Sequence, residues 1–232
     1  TQSQTAAATA PQPPSAASPP AAPPAATTLA DARAAATVVP VAAPSPAAPA
    51  GPLTDRQIVD KANAYFNGLS TLVADFTQVG GDGRRSTGRL YLQRPGKLRF
   101  EYAAPSNLEV VADGSSVAVR DRKLATQDLY NIGQTPLKFL LRDRVTLGLD
   151  IRVTDVDRDP SGVRITLEDR STIGGTSRIT LYFDQGVETL SQWRIVDPQG
   201  FQTTVVLSNL DRGRRVDQRL FVINYERMLD VR

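Results

Sequence analysis

The chain has 232 residues, a formal net charge of +3, no Cys, no His, one Met and one Trp. Zero Cys excludes disulfides, thiolate metal sites, thiol nucleophiles and a lipid-attachment cysteine within the chain, and zero His excludes a Ser-His-Asp triad together with the commonest general base and transition-metal ligand. The modest positive charge permits acidic partners without requiring them.

Residues 1–52 consist mainly of Ala, Pro, Thr and Ser, as in PQPPSAASPPAAPPAATT. Asp31 and Arg33 are the only charges there, and the segment holds most of the 17 prolines. It lacks the large apolar groups that offset ordering entropy, and its prolines favour extended conformations. A disordered tether is expected. A Pro-rich docking ligand would need anchor residues, and none stands out. The first residue is Thr, with no basic and apolar leader before it, as in a processed, exported chain or a trimmed one. No run of about 18 apolar residues occurs, so no transmembrane helix is expected.

Residues 53–232 read as one domain of ordinary size. Thr54 and Gln57 form a capping-box pattern, and Ile58, Ala62, Phe66 and Leu69 follow at helical spacing until Gly68 weakens the helix. The period then changes to two. LVADFTQV, STGRLYLQ, KLRFEY, LEVVAD and SSVAVRD come first. LDIRVTDV, GVRITLED, SRITLYF, ETLSQWRIV, FQTTVVLSNL and RLFVINY come later. Asp-Gly, Pro-x-Gly and Gly-Gly turn signals separate many of these runs. The pattern predicts about ten or eleven antiparallel strands that curl or close. One interruption, TPLKFLLRD (135–143), reads as a short amphipathic helix with Pro136 in its first turn.

Each strand offers one apolar face: Leu90 and Leu92; Leu98, Phe100 and Tyr102; Val117 and Val119; Ile151 and Val153; Val163, Ile165 and Leu167; Ile179, Leu181 and Phe183. A curled sheet of this kind is apolar inside and polar outside. Two occupants fit its interior: the helices as a plug, or a hydrophobic ligand with the helices as a lid. Trp193 and Ile195 share the inward parity and fit either case. Arg94 continues the row of Gly88, Leu90 and Leu92 into an R-P-G-K turn, so a guanidinium stands on an apolar face. It either snorkels to solvent at the sheet edge or meets acceptors at the rim.

LSTLVADFTQ, GRLYLQRPGKLRFEY, Pro105, VVADGSSVAVRD, TPLKFLL and FDQGVETLSQWRIVDPQGFQTTVVL, taken in order, resemble the LolA family of periplasmic outer-membrane lipoprotein carriers over roughly 54–210. No single motif is specific; the ordered set carries the resemblance. It implies a mainly β fold, an incomplete, half-open antiparallel barrel with a helical lid. Arg94 matches the family's lid latch. The implied function is a soluble, monomeric periplasmic chaperone that binds acyl chains of lipoproteins released from the inner membrane and delivers them to the outer membrane. The implied partners are acylated lipoproteins, an inner-membrane ABC transporter and an outer-membrane lipoprotein acceptor. No enzyme activity, cofactor or metal is implied.

On that reading the acyl cavity draws on Phe66 of the first helix, Leu72 and Phe76, the strand residues Leu90, Leu92, Leu98, Phe100 and Tyr102, and Leu137, Leu140 and Leu141 of the lid. It also draws on Ile151, Val153, Ile165, Leu167, Ile179, Leu181 and Trp193. Leu72 and Leu98 stand where the family often has an aromatic, which implies a different cavity shape. The absence of Cys argues against the pathway's acceptor, itself a lipoprotein. The competing function is a periplasmic lipid- or lipoprotein-sensing module of the same fold without transport.

Basic clusters at Arg84, Arg85 and Arg89, at Arg212, Arg214 and Arg215, and at Arg142 and Arg144 read as solvated surface. The aromatics do not interleave with them, so no nucleic-acid partner is expected. Glycoside hydrolysis needs one pair of carboxylates facing each other at a fixed separation; Asp75, Glu101, Glu109, Asp113, Asp155, Asp157, Glu168 and Asp169 are scattered, most of them in turns or on the polar face, so no enzyme is expected.

Overall fold

A computed structural model describes residues 51–225; residues 1–50 of the predicted tether and the last seven residues lie outside the described part. The first helix, α1 (Asp55–Gly68), begins on the capping box read from the sequence. Thr54 Oγ1 accepts from the Gln57 N–H at 3.3 Å and Gln57 Oε1 accepts from the Thr54 N–H at 2.8 Å. Its buried stripe is Ile58, Ala62 and Phe66.

Eleven strands follow: β1 (Thr71–Gly80), β2 (Arg85–Gln93), β3 (Lys97–Tyr102), β4 (Leu108–Asp113), β5 (Ser116–Asp121), β6 (Thr126–Asn131), β7 (Arg152–Asp159), β8 (Gly162–Thr172), β9 (Gly175–Phe183), β10 (Leu190–Val196) and β11 (Gln202–Asp211). All pairings are antiparallel, in one sheet ordered β6-β5-β4-β3-β2-β1-β11-β10-β9-β8-β7. The outermost strands, β6 and β7, do not pair with one another, so the sheet stays open. Both edges are polar, reading TQDLYN and RVTDVDRD, which blunts edge-to-edge association.

Period-two alternation places the apolar rows on one face. Leu90 pairs with Phe100, Leu92 with Leu98, Ile165 with Leu181 and Leu167 with Ile179. These residues join Ile58, Ala62 and Phe66 of α1 in one hydrophobic core. The connection from β6 to β7 crosses this face. It contains a 3-10 turn (Ile132–Gln134) and a single helical turn, α2 (Lys138–Leu141), shorter than the helix predicted over 135–143.

Two strand assignments change. TQDLYN forms β6, which the alternation did not reveal, whereas RLFVINY does not form a strand. Gln218–Phe221 makes a 3-10 turn, and the segment lies across the other face of the sheet. Phe221 and Ile223 are buried, and Ile223 packs on Val111, Ala118 and Leu129. The backbone of this strap bonds to side chains: Arg99 Nη1 donates to the Leu220 carbonyl at 3.2 Å and Gln127 Nε2 to the Asn224 carbonyl at 3.0 Å. Near it Glu109 is buried between two cations, 2.6 Å from Arg99 and 3.5 Å from Arg120.

Gly88 lies opposite Tyr102, and the Phe76 ring crosses it to meet Tyr102 edge-on at 5.1 Å. A Cβ at Gly88 would sit 2.1 Å from the Glu101 carbonyl oxygen and 2.8 Å from the Phe76 ring. Gly88→Ala is therefore expected to destabilise the fold by about 1–3 kcal/mol in urea unfolding. Unchanged stability would show that Phe76 does not depend on this gap.

Candidate functional site

The concave face is divided. On one side, α1 and α2 fill it with side chains. Leu72, Leu90, Leu92, Leu98, Ile165, Leu167, Ile179 and Leu181 have almost no exposure, and Leu140, Leu141 and Ile151 are buried with them. Phe66 and Phe139 meet edge-to-face at 5.7 Å within this region. Val153 packs at its margin. On the other side the face lines a half-open cavity of about 440 Å³, within the size range of small-molecule sites. Its apolar wall includes Phe100, Val110, Val117, Trp193 and Val205, with Tyr102 and Leu137 beside them. Trp193 marks the boundary. It contacts Phe139 at 6.1 Å on the packed side and Phe100 at 6.4 Å toward the cavity.

Of the acyl-cavity residues named from sequence, Phe100, Tyr102, Leu137 and Trp193 line the cavity, as do Val117, Val119 and Ile195 of the inward rows; Phe76 meets Phe100 and Tyr102 edge-to-face, and the other acyl-cavity residues belong to the packed side. Sequence reasoning missed Tyr130, because β6 was not foreseen, and the turn residues Ile173 and Phe201. Phe201 is 70% exposed and Ile173 49%, so the mouth lies at the β8–β9 and β10–β11 turns. Tyr102 donates to Gln78 Oε1 at 2.7 Å; burial pushes its hydroxyl pKa up to about 12, against the lowering effect of that bond.

The lid is pinned by polar contacts on several sides. A helix leaves its last carbonyls without intrahelical partners, and α2 is too short to satisfy them itself. Arg94 supplies the donors. Its Nε donates to the Arg142 carbonyl at 3.2 Å, and its Nη2 reaches both that oxygen and, at 3.2 Å, the Asp143 carbonyl. The Gly96 N–H, two residues on in the same turn, donates to the Leu141 carbonyl at 2.7 Å. Arg94 is half-buried. Desolvation lowers its pKa, partly countered by the Asp143 carboxylate, and its Nη1 has no partner among the described residues. Beyond α2, Asn67 Oδ1 accepts from the Val145 N–H at 2.9 Å and Asn63 Oδ1 from the Leu147 N–H at 2.7 Å, which hangs the connection on α1.

The last pin was not read from the sequence. Lys138, the first residue of α2, is buried with Asp169 of β8, Nζ to Oδ1 at 2.6 Å, and the Ser171 N–H donates to the same oxygen at 2.9 Å. Asp169 is therefore neither in a turn nor on the polar face, as the sequence suggested. It continues the inward row Val163, Ile165, Leu167, the same signal that singled out Arg94. The basic clusters sit at the surface with local partners: Arg89 with Asp75 at 3.3 Å, Arg142 with Asp150 at 3.0 Å, and Arg212 over the Tyr65 ring at 4.8 Å. No group of acidic residues is arranged to hold a metal among the described residues.

An open antiparallel sheet whose partly lidded concave face lines a half-open, mainly apolar cavity defines an architectural class. The chain belongs to one family of that class: residues 67–224 match the outer membrane lipoprotein carrier protein LolA family. An outer-membrane lipoprotein carrier protein from Methylococcus capsulatus is 29% identical over 177 residues, covering 72% of this chain and 84% of that one. Another from Legionella pneumophila is 29% identical over 174 residues, covering 72% and 85%. Among solved structures, a LolA superfamily protein from Nitrosomonas europaea covers 75% of this chain and 99% of its own, at 11% identity and a TM-score of 0.43.

Removing one member of a buried ion pair strands the other. Lys138→Met is expected to lose about 3–5 kcal/mol in chemical denaturation, and Lys138→Met with Asp169→Leu to recover most of that loss. A single variant as stable as the parent would contradict the pin.

Proposed function

We propose that the protein is a periplasmic carrier that shelters the acyl chains of lipoproteins and delivers them to the outer membrane. The cavity carries this reading: it is apolar, half-open, and closed on one side by a pinned lid. An inner-membrane ABC transporter is the source of cargo in this proposal, and an outer-membrane lipoprotein acceptor is its destination. Binding needs no covalent chemistry. Burying acyl chains contributes about 0.8 kcal/mol per CH₂, comparable with what a membrane offers the same chains, so extraction requires work done by the transporter.

Arg94 makes release favourable in this scheme. A cargo larger than the existing cavity displaces the lid and breaks the bonds to the Arg142 and Asp143 carbonyls. Those bonds re-form only when the cargo leaves, so they favour the empty, closed state by their differential contribution. A buried guanidinium without acceptors is costly, which sharpens the difference between the two states.

A triacylated lipopeptide is expected to bind the full chain near-stoichiometrically in calorimetry, while the same peptide without acyl chains does not bind. Arg94→Leu is expected to bind it at least as well and to release it to acceptor membranes or protein roughly tenfold more slowly, as the loss of about 1–1.5 kcal/mol implies. Parental release rates in that variant would remove the latch. Binding without any delivery would instead favour a sensing module of the same fold.

A further inference from the structure

Three hydroxyls of the cavity wall lie together at its β8–β9 end. Thr172 and Ser177 flank the β8–β9 turn, and Thr135 follows the 3-10 turn that abuts it; the Ile173 N–H donates to the Gln134 carbonyl at 3.0 Å. All three side chains line the cavity yet are nearly inaccessible, at 7%, 1% and 8% exposure.

Each hydroxyl has one proton to donate, and all three protons are already committed. Thr172 Oγ1 lies 2.7 Å from the Gly175 carbonyl, which can only accept, so the Thr172 proton goes there. The 2.8 Å contact between Thr172 Oγ1 and Ser177 Oγ must then use the Ser177 proton. Thr135 donates to the Ile132 carbonyl at 3.0 Å. What the three oxygens still offer is lone pairs. In a wall that also holds the Gln134, Asp197 and Gln199 side chains and the Trp193 indole N–H, which has no partner among the described residues, these three hydroxyls form a pole of acceptors, backed by the Lys138–Asp169 pair and Ser171 one residue before Thr172.

An aliphatic chain lying along Phe100, Val117 and Trp193 with its linkage at the mouth brings that linkage to this pole. A linkage with an N–H can donate to Ser177 Oγ or Thr172 Oγ1. An ester oxygen brings lone pairs against lone pairs and leaves buried acceptors unmatched, which is penalised. We propose that Thr172 and Ser177, supported by Thr135, form a specificity subsite that selects amide-linked over ester-linked acyl chains. The inference rests on the acyl-binding reading above and adds which chain of a mixed lipid enters this cavity.

The test compares N-hexadecanoylglycine with O-hexadecanoylglycolate, equal in length and charge and differing only by N–H against O, in titrations of the full chain. The amide is expected to bind roughly fivefold to tenfold more tightly, the value of one net hydrogen bond, and Ser177→Ala to reduce that ratio. Equal affinity for the two amphiphiles in the parent chain would overturn the subsite and leave the carrier reading standing. Failure of both to bind would overturn both.

Discussion

The concave face of an open sheet has to be kept from water, and the fold is organised around how this is done. A closed barrel would satisfy both edges and bury its interior without help. Here β6 and β7 remain apart, and the connection between them is laid over the apolar face. That connection is mostly irregular backbone, so covering the sheet with it brings carbonyls and N–H groups to a place where each needs a partner. Arg94 and Gly96 of the β2–β3 turn and Asn63 and Asn67 of α1 meet this need, and Asp169 of β8 holds the Lys138 ammonium of the same connection.

Polar pins differ from apolar packing in a way that suits reversible closure. Their net contribution is small when made, but the cost is high when one partner is stranded in a dry environment. In the proposed scheme, a lid held by such contacts has well-separated closed and displaced states. The division of the concave face follows. The half under α1 and α2 is a solid core that stabilises the sheet, and the other half is left open at the β8–β9 and β10–β11 turns. Plug and cavity, which the sequence left as alternatives, are both present side by side.

Much of this was legible from alternation. Ten strands, the α1 cap and the inward rows followed from period two and turn chemistry, because each strand buries one face. Arg94 was legible as a cation on an apolar row. Asp169 was equally so on the row of Val163, Ile165 and Leu167, but it passed as one of several scattered carboxylates. Two segments exchanged roles for a physical reason. TQDLYN has little apolar content because β6 is an edge strand whose pairing comes from β5 alone. RLFVINY alternates because it buries Phe221 and Ile223 against the sheet's other face, not because it pairs. Cavity lining was the least legible layer. Whether an inward residue meets a helix or open space depends on where the lid lands, and the single turn of α2 covers only part of the face.

The single tryptophan stands at the boundary between packed core and cavity, which makes the central claim directly measurable. Trp193 fluorescence should be followed while the chain is titrated with lipopeptides carrying a bromine at a known depth along an acyl chain. If the cavity receives the chain, quenching should saturate with binding and peak for one bromine position. The unbrominated and deacylated peptides should leave the emission without that loss. Saturable binding with no quenching at any bromine position would place the acyl chain elsewhere on the molecule and contradict the assignment of this cavity.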